Sequence, residues 1–192
     1  MQPAFIQLNI LHTQRLWLRE INPAVYKTLF TTATNQQIME VLGLQTAYDL
    51  ETERLRYHQG VTTFNQSFKN FQLVHKATQR IIGWCGFHTW MLYHHRAEIG
   101  YEIMDESFKG QGLMTEALKP IMIWGFEQMA LNRVEALIEP NNQPSLKLVE
   151  RLGFTKEGLM RKHYYKDQVF EDSVIYALLK EEYYRLKAQW AA

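Results

Sequence analysis

The spacing of apolar residues changes period several times along the chain, and each change marks an element. Residues 15–21 alternate, with Leu16 and Leu18 on one side, which predicts a first strand. Pro23 then suits the first turn of a helix carrying Val25, Leu29 and Phe30. Asp49, with Glu53 behind it, is placed to start a second helix running to about Phe64. Residues 71–76, 81–90 and 96–104 read as three successive strands. The short Ala77-Thr78-Gln79 turn and a loop around His94 and His95 separate them, a spacing that suits an antiparallel meander.

Residues 113–129 carry Leu113, Ala117, Ile121 and Trp124 on one flank and Leu118, Met122 and Met129 on another. So wide an apolar surface predicts a helix packed in the centre of the fold. Residues 133–139 read as a further strand leading into a capped helix. There Asn142 is the N-cap, Pro144 fits the first turn, Leu146, Val149 and Leu152 form one stripe, and Gly153 suits a left-handed C-terminal cap. Residues 158–165 and 169–178 predict a closing antiparallel pair, and 180–190 a charged helix. The sum is an α+β fold, a mostly antiparallel sheet with helices on both faces.

The stretch Lys109-Gly110-Gln111-Gly112-Leu113-Met114-Thr115 joins a strand to the long apolar helix. A glycine-rich turn feeding a helix start presents unpaired N–H groups at the positive end of the helix dipole, which suits a pyrophosphate. It is neither a Gly-x-x-x-x-Gly-Lys-Ser/Thr loop nor a Gly-x-Gly-x-x-Gly fingerprint. Taken alone, the glycine pair is more often only a tight turn that tolerates positive φ.

Composition narrows the classes. A chain of 192 residues with 46% apolar and 13% aromatic residues has enough material for one domain with a substantial core, and there is no repeat, low-complexity tract or linker. The 21 basic and 20 acidic residues nearly balance, so the positive field of a nucleic-acid binder is missing. The single cysteine, Cys85, excludes an internal disulfide and sits in an apolar run that predicts burial. No segment reads as a secretion signal or as a membrane span, and the expected compartment is the cytoplasm.

Residues 109–114 together with residues 141–154, Asn-Asn-Gln-Pro-Ser-Leu-Lys-Leu-Val-Glu-Arg-Leu-Gly-Phe, matched from Asn142 onward, give the chain its family resemblance. In order, they resemble the Gln/Arg-x-x-Gly-x-Gly/Ala loop and the Asn-x-x-Ser/Ala helix ending in Glu-x-x-Gly-Phe of the GNAT superfamily of acetyl-CoA-dependent N-acetyltransferases. The opening at 13–19, Glu-Ile-Gly-Tyr-Glu-Ile at 98–103, Thr-Glu-Ala-Leu at 115–118 and Glu-Gly at 157–158 are similar to the branch of bacterial ribosomal-protein N-terminal acetyltransferases. Two positions depart from the pattern. Lys109 keeps a positive charge but loses bidentate geometry, and Met114 stands where the family favours Gly or Ala.

The resemblance implies a splayed, mixed sheet of about seven strands, acetyl-CoA as cosubstrate and an amine acceptor. It implies that Lys109, Gly110, Gln111, Gly112, Leu113, Met114 and Thr115 hold the cofactor's diphosphate. It further implies that Glu102, Ile103 and Met104 pair with the pantetheine arm, and that Asn142, Ser145 and Lys147 complete the cofactor site. The loops at 38–49 and 162–170 are expected to shape the acceptor site.

Acetyl transfer to an amine needs a base for the ammonium proton and a donor for the departing thiolate. Strand alternation puts Glu98, Gly100 and Glu102 on one face, opposite Ile99, Tyr101 and Ile103, and makes Glu98 the candidate base. An ion pair with Arg96 or Arg133 is the competing role for Glu98. Val149 replaces the tyrosine that many family members use as acid, so Ser145 becomes the candidate donor, with a plain helix-cap hydroxyl as the competing role. Tyr164 and Tyr165 are weaker candidates for the donor, with aromatic packing in a strand as the favoured role. None of the seven histidines has metal-ligand spacing, and no metal is expected.

The expected activity is acetylation of a protein or peptide N-terminus by a monomer or homodimer. Acetylation of a polyamine or aminoglycoside, and acyl-CoA binding without turnover, remain open.

Overall fold

A computed structural model describes residues 5–59 and 68–190. In chain order the elements are β1 (Ile10–His12), β2 (Leu16–Ile21), α1 (Pro23–Thr32), α2 (Asn35–Leu42), α3 (Ala47–Gln59), β3 (Lys69–His75), β4 (Ile81–Met91) and β5 (Arg96–Ile103). There follow α4 (Leu113–Glu127), β6 (Arg133–Ile138), α5 (Gln143–Arg151), β7 (Thr155–Lys166), β8 (Val169–Leu179) and α6 (Lys180–Trp190). The eight strands form one sheet in the order β1-β2-β3-β4-β5-β6-β8-β7. Every neighbouring pair is antiparallel except β5 and β6.

The strand count exceeds the expected seven because β1, only three residues long and without alternation, pairs with β2. A second correction concerns the segment 38–49. Its first part belongs to α2, whose N-cap Thr34 forms a capping box with Gln37 and whose C-cap Gly43 is left-handed at φ 74°. Asp49 is not the cap of α3. Its carboxylate accepts from the Gln45 and Thr46 amides while the Thr46 hydroxyl accepts from the Asp49 amide, so Thr46 is the cap and Asp49 the third helical residue. The expected extension of this helix to Phe64 lies outside the described residues. The segment 162–170 is not a loop either. Its ends belong to β7 and β8, and the reversal is confined to Asp167 and Gln168, both at positive φ.

Alternation in the strands sorts side chains onto two faces. On one face Leu16, Leu18, Phe71, Leu73, Cys85, Phe87 and Ile99 join Leu113, Ala117, Leu118, Ile121, Met122 and Phe126 of α4 in the main core. Gly125 lets the helix approach: a Cβ there would lie 2.4 Å from Cζ of Phe87. On the other face α1, α2 and α3 cover β2 through Ile21, Leu29, Ile38, Val41 and Leu50. These helices stop short of β4 and β5, and that uncovered part of the sheet holds the cleft described next. No helix among the described residues is long and apolar enough to cross a membrane.

Candidate active site

Strands β5 and β6 pair in parallel only from Arg96 to Glu98 against Arg133 to Glu135. Beyond that point β5 stays paired with β4 as far as Ile103, and β6 stays paired with β8 as far as Ile138. The two strands therefore diverge and leave an internal sheet edge with unpaired main-chain groups. The Met104 amide donates to the Ile82 carbonyl at 2.9 Å, so residues 104, 102, 100 and 98 turn their main chain toward β4. Tyr101 and Ile103 turn theirs into the gap. Of the three residues expected to pair with a pantetheine arm, only Ile103 is so oriented. The main chain of Glu102 and Met104 is engaged by β4, and Tyr101 takes their place.

A cleft of about 270 Å³ fills the gap, lined by Glu98, Gly100, Tyr101, Leu137, Asn142, Ser145 and Tyr164, with Trp84 and His88 on the β4 side. Glu98 stands where the strands part. Its side chain is 12% exposed, and its pKa is pushed up to about 7, first by burial and then by the Glu135 carboxylate nearby. The hydroxyls of Thr89 and Tyr164 oppose that rise by donating to the carboxylate. Neither arginine pairs with Glu98: Arg96 and Arg133 both bond Glu135, and Arg133 also takes Glu157. His88 places Nδ1 3.6 Å from the Glu98 carboxylate, and burial lowers its pKa, favouring the neutral ring. Thr89 reaches the site because the β4 ladder bulges between His88 and Met91, with Thr89 itself at φ 48°.

Ser145 is the third residue of α5, in its first turn. Its amide donates to Oδ1 of Asn142, the helix cap, at 3.2 Å. The Asn142 NH₂ group has no partner among the described residues. The Tyr101 hydroxyl is buried and close enough to Ser145 to feel its hydroxyl, yet it makes no hydrogen bond of sound geometry. Val149 is fully buried in the core. Lys147 is exposed and does not line this cleft.

The glycine loop follows β5. Gly110 and Gly112 have φ of 71° and 75°, and a Cβ on Gly110 would meet nothing within 4 Å. Among the described residues the amides of Gly110, Gln111, Gly112, Leu113, Met114 and Thr115 make no hydrogen bond; the first bonded amide of α4 is that of Glu116, to the Gly112 carbonyl at 3.0 Å. The Met114 side chain packs against the main core and leaves the loop clear. Arg15 braces the loop from outside by donating to the Gln111 carbonyl at 3.0 Å and pairing with Glu116 at 2.7 Å. Lys109 is held by Glu106 on the surface.

Free amides at a helix start fit a diphosphate, and the unpaired edge of Tyr101 and Ile103 fits an amide-bearing arm. Both features match coenzyme A. Among the described residues no cluster of His, Cys, Asp or Glu could hold a metal ion.

Three site residues escape sequence reading. Tyr101 reads as core-facing until the divergence of β5 and β6 exposes it. His88 meets Glu98 only through the cross-strand register, in which the two residues are direct partners. Thr89 depends on a bulge with no glycine to announce it.

A family model described as "Acetyltransferase (GNAT) domain" matches residues 15–155. The chain is 30% identical to the uncharacterized N-acetyltransferase YoaA of Bacillus subtilis (strain 168), over 89% of this chain and 97% of the relative. It is 31% identical to the uncharacterized N-acetyltransferase p20 of Bacillus licheniformis, over 92% and 99%. A crystal structure of a GNAT-family acetyltransferase from Bacillus anthracis shares the fold, with a TM-score of 0.63 and 23% identity over 91% of this chain and all of that one. With the diverging strands, the open amide loop and full-length relatives in agreement, the chain belongs to the GNAT acetyltransferases and is an acyltransferase.

Proposed function

We propose that the protein transfers the acetyl group of acetyl-CoA to the α-amine at a protein or peptide N-terminus, with Glu98 as the base. The observation that carries this reading is the place of Glu98, a largely buried carboxylate lining the cleft where the pairing of β5 and β6 ends, with its pKa raised by burial and by Glu135. A free α-amine has an ordinary pKa of about 7.7–8.0, within roughly one unit of that base, whereas an alkylamine near 10.4 would surrender its proton to it far less readily. The resemblance to ribosomal-protein acetyltransferases at 98–103 and 115–118 supports the same acceptor class.

When bound, acetyl-CoA supplies an activated acyl carbon. The chain's own residues do the rest. The amides of Gly110 to Thr115 hold the diphosphate, the main chain of Tyr101 and Ile103 orients the arm, and the Asn142 amide fixes it from the cap of α5. Glu98 accepts the amine proton, assisted by neutral His88 at its side. Since Val149 lies in the core, the donor for the leaving sulfur is the Tyr101 and Ser145 hydroxyl pair. Positioning of the two reactants contributes as much as any single group.

Thiol release from acetyl-CoA, measured with peptides bearing free or formyl-blocked N-termini and an internal lysine, tests the reading. Turnover confined to free N-termini, with mass mapping of acetyl to the first residue, is expected. Acetylation of the lysine side chain in blocked peptides would overturn it.

A further inference from the structure

A further cavity, of about 670 Å³, opens where the glycine loop passes into α4, on the side of that helix turned away from the core. It shares no lining residue with the cleft of Glu98. Gly112, Thr115, Lys119 and Ile123 supply one wall, at spacings of three and four that set them in a row along the helix. The β1–β2 turn, Arg151 at the end of α5 and Trp190 at the end of α6 supply the rest.

One carboxylate lines this cavity, and its charge is already answered. Glu116 accepts from the Thr13 hydroxyl at 2.5 Å, the Arg15 amide at 2.6 Å and Arg15 Nε at 2.7 Å. Lys119 and Arg151 have no such partner: among the described residues neither side chain makes an ion pair or a hydrogen bond. Two cations without a counter-charge therefore line one concavity. Gly112 and Thr115 on its wall belong to the run of amides that make no hydrogen bond. The cations attract an anion and the amides beside them suit a diphosphate, so the cavity fits a second phosphate carried close to the first.

We infer that Lys119 and Arg151 bind the 3′-phosphate of coenzyme A, so that the chain selects coenzyme A over its dephospho form. The inference rests on the reading that the amides of Gly110 to Thr115 hold the diphosphate, and it is independent of the acceptor. In the ligand a single ribose separates the 3′-phosphate from the diphosphate. On the protein Thr115 and Lys119 are about one helical turn apart, about 6 Å at 1.5 Å per residue. The Cα–Cβ bonds of a helix tilt toward its N-terminus, so the Lys119 side chain leans toward the loop. Lysine brings a compact charge, and the arginine fork can take two phosphate oxygens at once. Further along α4, Pro120 and Ile123 with Trp190 give the cavity an apolar stretch suited to the adenine base.

Calorimetry tests this by comparing coenzyme A with 3′-dephospho-coenzyme A on the wild-type chain, Lys119→Gln, Arg151→Gln and the double variant. The two ligands share the diphosphate and the pantetheine arm, so the ratio of their Kd values isolates the 3′-phosphate and cancels any change in the loop or in overall stability. At low salt the wild type should bind coenzyme A about tenfold more tightly than the dephospho form, with the preference shrinking as salt screens the phosphate. Each single substitution should cut the ratio about threefold and the double variant should bring it near one, while affinity for the dephospho form stays within about twofold throughout. Equal affinities for the two ligands in the wild type would overturn the inference while leaving the diphosphate loop standing. A preference that survives in the double variant would overturn it as well. Failure of both ligands to bind the wild type would remove the diphosphate assignment and this inference with it.

Discussion

Replacing Glu98 with glutamine should abolish most activity and, above neutral pH, stabilise the protein. Burial and the Glu135 carboxylate move the Glu98 pKa from the ordinary 4.5 to about 7. At about 1.4 kcal/mol per pKa unit, keeping this carboxylate ionised in the folded chain costs about 3 kcal/mol. The side chain is only 12% exposed, so solvent screens little of that cost. Because the folded pKa lies above the unfolded one, the folded chain holds more protons between pH 4.5 and 7, and stability falls as pH rises through that window. The contribution is fully present below 4.5 and lost above about 7. Glutamine keeps an acceptor for Thr89 and Tyr164 but cannot ionise. Urea unfolding of wild type and Glu98→Gln at pH 4.5, 6 and 8 should show a difference in stability that grows by about 3 kcal/mol in favour of the variant. The same variant should lose about 10²- to 10⁴-fold in kcat/KM, the usual contribution of a general base. Parallel pH dependences for the two proteins would refute the assignment of a raised pKa to Glu98, and retained activity would refute its role as base.

Tyr164→Phe removes a donor that favours the ionised form of Glu98, so the acidic limb of the kcat/KM profile should move to higher pH; an unmoved limb would show that the hydroxyl does not act on the base. Gly112→Val puts a branched residue at φ 75° beside the free amides, with a strain of about 1–2 kcal/mol, and calorimetry should show coenzyme A binding weakened at least about tenfold. Gly125→Ala, far from the site, drives a methyl into the Phe87 ring and should lower unfolding stability by about 1–3 kcal/mol while leaving coenzyme A affinity alone.

Much of this architecture is legible in the order of residues because it is written in local patterns. The α6 bounds follow from charge and spacing, and the α5 cap from Asn142 and Pro144. Gly153 adopts the expected φ, at 86°. The α2 helix is missed in the sequence reading: Thr34, Gln37 and Gly43 are its start and stop signals, but the short apolar content between them hides it. What no local pattern contains is the set of contacts between distant segments. Thr13 and Arg15 clasp Glu116 across a hundred residues, and Arg96 and Arg133 are drawn to Glu135 and away from Glu98.

That last choice shapes the chemistry. Glu98 and Glu135 are partners in the parallel pairing of β5 and β6, so their carboxylates compete for the two arginines that flank them. Glu135 takes both, and Arg133 is further anchored by Glu157. Glu98, largely buried, beside a like charge and with no ion pair to either arginine, has its proton affinity raised, and the more distant Arg96 opposes that rise only in part. The pairing of β5 and β6 ends at this same position, which opens the cleft on the side of the unpaired acid. Position 98 thus lies where the sheet can no longer supply main-chain partners and the ion-pair network no longer reaches. Removing a clasp, as in Glu157→Gln, should free Arg133 to turn partly toward Glu98 and lower the acidic limb of the rate profile. A profile identical to wild type would mean that burial alone sets the base.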